Sequence, residues 1–142
     1  MEYAFWDSSA IVRLCIQHQT TPAVQGLASR YGMAVWWSTQ VEIRGAFERL
    51  RRTGEITASE HVAALVEARF FKGGWREMTP HDALRDQAER MLERFVLKAA
   101  DALQLAAALS WCAGKPQGRA FISGDVQLLR AAEDLGFQAI AA

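Results

Sequence analysis

The sequence has little cysteine, no signal peptide and no apolar run long enough for a membrane. Its two cysteines, Cys15 and Cys112, lie in apolar helical patterns without metal-binding spacing, so we expect reduced core thiols rather than a disulfide framework. The most apolar segment, residues 99–113, contains Asp101 and Gln104 and is too short to span a bilayer. Because the N-terminal residues lack a basic region followed by a cleavable apolar stretch, we expect a cytoplasmic protein with no membrane partner.

The sequence also lacks net charge. The 16 Lys and Arg residues balance the 16 Asp and Glu residues, so no global field draws the chain to nucleic acid. A nucleic-acid partner would have to be held by a local patch or through a bound metal. The length of 142 residues suits one domain with a substantial core, and we expect residues 1–142 to form a single domain.

Short apolar strands alternate with helical patterns along the chain. The order β-α-α-β-α-α-β-α-α-β-α-β predicts an α/β fold, with a mostly parallel sheet covered by helices on both faces. The second strand is predicted over 33–39, and Thr79-Pro80 is predicted to cap the fifth helix. The apolar face of the fourth helix is predicted to consist of Val62, Leu65, Val66 and Phe70.

Four carboxylates stand at related places in this pattern. Asp7 follows the first predicted strand, Asp125 follows the strand RAFIS, and Glu42 lies in the first turn of the helix after the second strand. Asp101 is the only charged residue of the apolar stretch AADALQLAAALSWC. The carboxyl ends of neighbouring parallel strands meet at one edge of the sheet, where ligands of such folds bind. We therefore expect these acids to converge.

Each acid also has an ordinary structural explanation. Asp7 and Asp125 are favourable N-caps, Ser123 is an alternative cap beside Asp125, and Glu42 suits the positive end of a helix dipole. Asp101 is harder to explain in this way, because an unpaired buried carboxylate must protonate, pair or bind a metal. Carboxylate oxygens are ligands that Mg²⁺ and Mn²⁺ prefer, and metals held in this way can promote phosphodiester hydrolysis.

Four segments of the chain resemble the PIN-domain family, and within it the VapC-type toxins of bacterial toxin–antitoxin pairs. They are DSSAIVRL (7–14), VEIRGAFERLRRTGEIT (41–57), AADALQLAAAL (99–109) and FISGDVQLLRAAEDLGF (121–137). The resemblance implies an α/β/α sandwich and a metal-dependent endoribonuclease that acts as a growth-inhibiting toxin. It also implies an RNA substrate, a small antitoxin protein whose C-terminal segment covers the groove, and a homodimer.

The resemblance further implies a role for each acid. Asp7 and Asp101 would be the principal Mg²⁺ ligands, with Mn²⁺ able to substitute. Asp125 would serve a second metal or hold a ligating water. Glu42 would orient the metal-bound water or act as its base, so that all four acids belong to one catalytic metal site.

Other positions follow or depart from the family pattern. Ser123, and one of Ser8 or Ser9, would be supporting hydrogen-bond donors. Gln104 stands where many members of the family carry His, and His18 lies where an acidic residue is frequent. We expect neither of these two to touch the four acids.

The sequence also contains basic residues that could contact RNA, and it leaves other functions open. Arg13 and Arg44 are candidates for contacts to RNA phosphates, although Arg44 and the interleaved Glu48 also fit a solvated helix face. A haloacid-dehalogenase-like phosphatase would need a second Asp where Ser9 stands. The alternatives that stay open are a non-catalytic PIN-like module that binds RNA or protein and, more distantly, a metal-dependent phosphatase.

Overall fold

The computed structural model describes residues 1–142 as one five-stranded sheet and seven helices. The strands are β1 (Glu2–Trp6), β2 (Tyr31–Trp36), β3 (Arg76–Met78), β4 (Ala120–Ser123) and β5 (Gln138–Ala141). The helices are α1 (Ser8–Cys15), α2 (Pro22–Arg30), α3 (Thr39–Arg52), α4 (Ala58–Lys72), α5 (Asp82–Arg94), α6 (Ala99–Trp111) and α7 (Val126–Leu135). Every predicted element is present, in the predicted order.

All neighbouring strands of the sheet run parallel, in the order β3-β2-β1-β4-β5. From β1 the chain moves outward to β2 and β3, then returns to place β4 on the other side of β1. The strand order therefore reverses between β1 and β4, the position at which open α/β sheets bind ligands. The predicted α/β fold with a parallel sheet is confirmed.

The sheet separates two apolar cores. Along β1, Ala4 and Trp6 face one core and Phe5 faces the other, because successive strand residues point to opposite faces. The first core includes buried residues of α1–α4, such as Phe47, and the second includes buried residues of α5–α7, such as Leu105. Each fully buried side chain of this size contributes about 1.5–3 kcal/mol to folding. No helix has the combination of length and apolar character that crossing a membrane requires.

The strand β2 differs from its predicted bounds, 33–39, because neighbouring strands fix its limits. It pairs with β1 from Tyr31 onward and with β3 up to Trp36, which lies opposite Met78. Beyond Trp36 no partner strand continues, so the chain turns and α3 begins at Thr39. The predicted strand was therefore too late at both ends.

The N-cap of α5 also differs from the prediction. The cap residue is His81, not Thr79-Pro80, and its Nδ1 accepts a hydrogen bond from the Leu84 amide at 3.2 Å. An imidazole nitrogen here takes the place of the usual cap oxygen. At the start of α4 the local sequence was sufficient to predict the cap, since Thr57 and Glu60 form a capping box there.

The buried face of α4 was predicted correctly for Leu65 and wrongly for the other three residues. Val62, Val66 and Phe70 are 59%, 61% and 75% exposed, whereas Ala64 is fully buried. The residues beside Ala64 that pack against the core are Leu65, Ala68 and Phe71. This helix is apolar on two sides, and its small residues allow close packing against the core. Helical periodicity alone could not decide between the two faces.

Candidate active site

Asp7 lies at the centre of the carboxyl edge of the sheet. Its amide donates to the carbonyl oxygen of Ile122 at 3.0 Å, which extends the pairing of β1 with β4 by one residue. The residue is only 3% exposed and occupies the N-cap position of α1, but its side chain makes no capping hydrogen bond. Capping geometry therefore does not account for the orientation of this carboxylate, which serine hydroxyls hold instead.

Two hydroxyl groups hold the Asp7 carboxylate. Its Oδ2 accepts hydrogen bonds from Ser9 Oγ at 2.5 Å and from Ser123 Oγ at 2.9 Å. The Gly124 amide donates to Ser9 Oγ at 2.9 Å, and the Asp125 amide donates to Ser123 Oγ at 3.0 Å. Because each hydroxyl accepts from a backbone N–H, its own proton is free to point at Asp7. The two serines thus fix one carboxylate oxygen of Asp7 relative to the backbone of the β4–α7 turn.

Burial dominates the protonation of Asp7. Loss of solvent raises the pKa of its carboxyl group, the Ser9 and Ser123 hydroxyls lower it, and the charge of Glu42 raises it again. The net effect is a raised pKa for Asp7. No side chain donates to the second oxygen of Asp7, Oδ1, so that oxygen keeps lone pairs for a cation.

Glu42, in the first turn of α3, has both carboxylate oxygens occupied. Ser8 Oγ donates to Oε1 at 3.0 Å, and Ser38 Oγ donates to Oε2 at 2.6 Å. Gln104 Nε2 on α6 also donates to Oε1, at 3.2 Å. Three elements therefore fix this side chain, which suits a carboxylate that must hold one orientation.

The contact of Gln104 with Glu42 corrects the expectation that Gln104 stands clear of the acids. Gln104 is completely buried, and its Nε2 also donates to Thr39 Oγ1 at 3.1 Å. Its Oε1 is buried without a hydrogen-bond partner. The sequence contained a signal for this role, because Gln104 lies three residues after Asp101 and so shares its helix face.

Asp101, in the first turn of α6, is the least satisfied of the acids. It is not a cap, since Lys98 occupies the N-cap position, and no hydrogen bond to its carboxylate is present. Partial burial raises the pKa of Asp101 to about 6, with further contributions from the charges of Asp7, Asp125 and Glu42. All three other carboxylates thus lie close enough to act on this one.

Asp125 combines two functions. It is the N-cap of α7, and its Oδ1 accepts hydrogen bonds from the amides of Gln127 at 2.9 Å and Leu128 at 3.3 Å. The capping explanation therefore holds for Asp125, while Ser123 accepts only from the Asp125 amide. The remaining oxygen, Oδ2, has no donor among the side chains or amides and can still serve a ligand.

The donor set fits an open magnesium site rather than a closed cage. No three acidic, histidine or cysteine side chains are arranged as a ready metal cage. Oxygens without side-chain donors remain on Asp7, Asp101 and Asp125, however, and the charges of the other two act on Asp101, an effect that a cation would relieve. Mg²⁺ usually keeps several waters and binds through one or two carboxylates, so this arrangement suits it.

Comparison with known proteins identifies the fold. No protein-family model and no curated protein matches the chain. The structure of PAE2754 from Pyrobaculum aerophilum matches with a TM-score of 0.69 and 18% identity, over 99% of this chain and 83% of that one. FitAcB from Neisseria gonorrhoeae matches with a TM-score of 0.65 and 12% identity, over 96% of both chains. The fold is PIN-like.

Within this PIN-like fold, the two candidate arginines lie in different places. Arg13 lies beside Gly124, just after β4, and its guanidinium donates to the oxygen of Ala142, just after β5. Arg44 forms an ion pair with Glu48 at 2.8 Å and is largely exposed. Only Arg13 therefore adjoins the carboxyl edge of the PIN-like sheet, and the solvated-face interpretation of Arg44 agrees with its ion pair.

Proposed function

We propose that the protein is a Mg²⁺-dependent endoribonuclease that acts as the toxin of a toxin–antitoxin pair. The proposal is supported by the positions of Asp7 and Asp125, which directly follow β1 and β4 where the strand order reverses, and by the charge effects of Asp7, Asp125 and Glu42 on Asp101. A fold needs no such arrangement for stability, because the repulsion of Asp101 by Asp7 and Asp125 works against it. A divalent cation would remove that repulsion. A phosphodiester bond of RNA would then be the substrate of the metal site.

The hydrogen bonds suggest a division of roles among the acids. Asp7 and Asp101 would hold Mg²⁺, or Mn²⁺ in its place, through oxygens that no side chain now occupies. Asp125 would contribute its Oδ2 to a second metal or to a water. Glu42, whose two oxygens accept three hydrogen bonds, would orient the attacking water or accept its proton.

The metal and the protein side chains would then have different roles in the reaction. Bound Mg²⁺ would supply Lewis-acid polarisation of the scissile phosphate and a more acidic water. The serines would keep Asp7 in one orientation through the Gly124 and Asp125 amides. Gln104 would do the same for Glu42 from α6.

The toxin role rests on the PIN-like fold together with the resemblance to VapC-type toxins. It implies a small antitoxin protein as partner, a homodimer and an RNA substrate. A non-catalytic PIN-like module that binds RNA or protein is the second candidate. The absence of a ready metal cage favours that alternative, and the charge effects of the other three acids on Asp101 favour the nuclease.

The test uses purified protein, a labelled single-stranded RNA, and Mg²⁺, Mn²⁺ or excess EDTA. We expect cleavage with either metal, none with EDTA, and none with Asp7→Asn. That variant keeps an oxygen for the Ser9 and Ser123 hydroxyls, so it should fold, which a thermal melt checks. Cleavage that persists in excess EDTA, or in Asp7→Asn at equal purity, would contradict the proposal. Expression without a partner should arrest growth, and Asp7→Asn should relieve the arrest.

A further inference from the structure

A cleft between α1 and α3 is lined by Glu42, one of the four acids. Its volume is about 320 Å³. Its polar lining consists of Ser8, Ser9 and Glu42, and its basic lining consists of Arg13 and Arg49. The apolar side chains that line it are those of Val12, Ala46 and Leu50. The cleft therefore combines acidic, basic and apolar side chains.

The periodicity of α3 places Arg49 in this cleft. Glu42, Ala46 and Arg49 are separated by four and three residues and so share one helix face. Seven residues of helix advance about 10 Å along the axis, so Arg49 lies well beyond the acids. A phosphate that meets Arg49 would then be a neighbour, along a nucleic-acid strand, of a phosphate placed beside Asp7.

Arg13 is fixed between the acids and the cleft. An added Cβ at Gly124 would stand 3.2 Å from the Arg13 guanidinium carbon, so the guanidinium lies against the backbone at the end of β4. One of its N–H groups donates to the Ala142 carbonyl oxygen, and an arginine carries five such donors. A second cavity of about 400 Å³ shares Arg13 and Gln19 with the first and continues the groove past Thr21.

The charge of Arg49 is directed at no acidic partner, and the guanidinium of Arg13 is directed at an oxygen of Ala142. Neither Arg13 nor Arg49 forms an ion pair with an acidic side chain, whereas Arg44 on the same helix is paired with Glu48. Because the net charge of the chain is +0, attraction for a polyanion has to come from local groups, and unpaired arginines beside the cleft can supply it in addition to a bound metal.

We propose that this cleft binds a phosphate of single-stranded RNA next to the scissile phosphate, with Arg13 and Arg49 as its ligands. The inference rests on the proposed nuclease function and adds the direction in which the strand leaves the acids. Arginine holds phosphate oxygens through paired N–H donors, and the apolar surface accommodates a ribose or base. An acidic protein segment is the competing occupant, but Glu42 belongs both to the four acids and to the lining of the cleft, which favours the substrate.

The experiment measures binding and cleavage separately. Binding of a fluorescent single-stranded RNA to the full chain is followed by anisotropy in EDTA over a range of salt. The variants are Arg13→Gln, Arg49→Gln and Arg44→Gln, and Arg90→Gln on α5 is the control for loss of one exposed positive charge. Cleavage in Mg²⁺ then gives KM and kcat for each protein, and thermal melts verify folding.

We expect Arg13→Gln and Arg49→Gln each to weaken RNA binding roughly tenfold at low salt, as loss of a charged hydrogen bond does. Each should also lower the slope of log affinity against log salt by about 0.7, the value for one phosphate contact on a single strand. KM should rise while kcat stays near that of the parent. Arg90→Gln should leave the affinity unchanged.

Other outcomes separate this inference from the proposed function. If the parent cleaves RNA but Arg49→Gln binds it as tightly as Arg90→Gln, the cleft is not the phosphate site while the nuclease stands. A larger loss in Arg44→Gln than in Arg49→Gln would place the strand elsewhere and overturn the inference. If a fluorescent oligoglutamate peptide loses affinity for Arg49→Gln while RNA does not, the cleft serves a protein instead. If the parent neither binds nor cuts RNA, the proposed function itself fails.

Discussion

Replacement of Asp101 by Asn tests whether the acids form a cation site or merely stabilise helices. Partial burial and three neighbouring carboxylates raise the pKa of Asp101 from the ordinary value of 3.8 to about 6. Because the folded state holds this proton more tightly than the unfolded state, ionisation of Asp101 destabilises the metal-free fold. The penalty is absent below pH 3.8, grows as the pH rises through the interval up to about 6, and is complete above it.

The size of the effect follows from that change in pKa. In a dry site the rise would correspond to about 3 kcal/mol at neutral pH. Asp101 is only partly buried, so solvent screening reduces the expected penalty to about 1–2 kcal/mol. For a chain of this length, such a difference corresponds to a change of about 3–6 °C in Tm.

Thermal melts of Asp101→Asn without metal should therefore show a higher Tm than the parent at pH 7.5. The gain should shrink as the pH is lowered towards 4.5, because the parent carboxylate then takes up its proton. The matched control is Asp82→Asn, which removes an exposed acid from the first turn of α5 and should change Tm little. Low ionic strength is preferred, since salt screens the repulsion.

Addition of Mg²⁺ should reverse the ranking. The parent should gain stability by mass action, whereas Asp101→Asn should lose most of that gain together with RNA cleavage. A variant that melts lower than the parent without metal, yet cuts RNA at the parental rate, would refute the reasoning. Asp101 would then be a structural residue, and the role of the other carboxylates would have to be reconsidered.

Three further replacements probe the supporting contacts. Gln104→Met removes a donor to Glu42 and should lower kcat with KM unchanged in a cleavage assay; an unchanged kcat would argue against positioning. Ser123→Ala deprives Asp7 of a hydrogen bond and should lower the free energy of unfolding in urea by about 1–3 kcal/mol; equal stability would contradict the network. Gly136 has a φ of +110°, and a Cβ added there would stand 3.0 Å from a neighbouring side-chain nitrogen. Gly136→Ala should therefore lower the free energy of unfolding by more than about 1 kcal/mol in the same urea assay; a variant as stable as the parent would show that the backbone is not strained.

The contacts that define the candidate site join residues far apart in the sequence. Ser8 reaches Glu42 across 34 positions, Gln104 reaches Glu42 across 62, and Ser123 reaches Asp7 across 116. Sequence reasoning could name most of these residues because polar groups at strand ends and acids in apolar helices are locally visible. It could not assign their partners, since the partner depends on which helix packs beside which strand.

Two helices show why periodicity alone is insufficient. On α4 both faces are apolar, and only packing against the core chooses the side of Ala64 over the side of Phe70. On α3, Arg44 and Arg49 are alike in sequence, but one pairs with Glu48 and the other lines the cleft beside the acids. Side-chain periodicity gives the faces of a helix, whereas the neighbouring elements decide which face is buried.

The sequence by itself determined the order of strands and helices, the α/β class and the positions of the four acids at the ends of elements. These features depend on local periodicity, on caps such as Thr57 and on stop signals such as Gly136. Only the tertiary structure decided that Asp7 is held by two serines rather than capping α1, and that Gln104 reaches Glu42. The physical reason is that a hydrogen bond between distant residues exists only once the sheet has brought their elements to one edge.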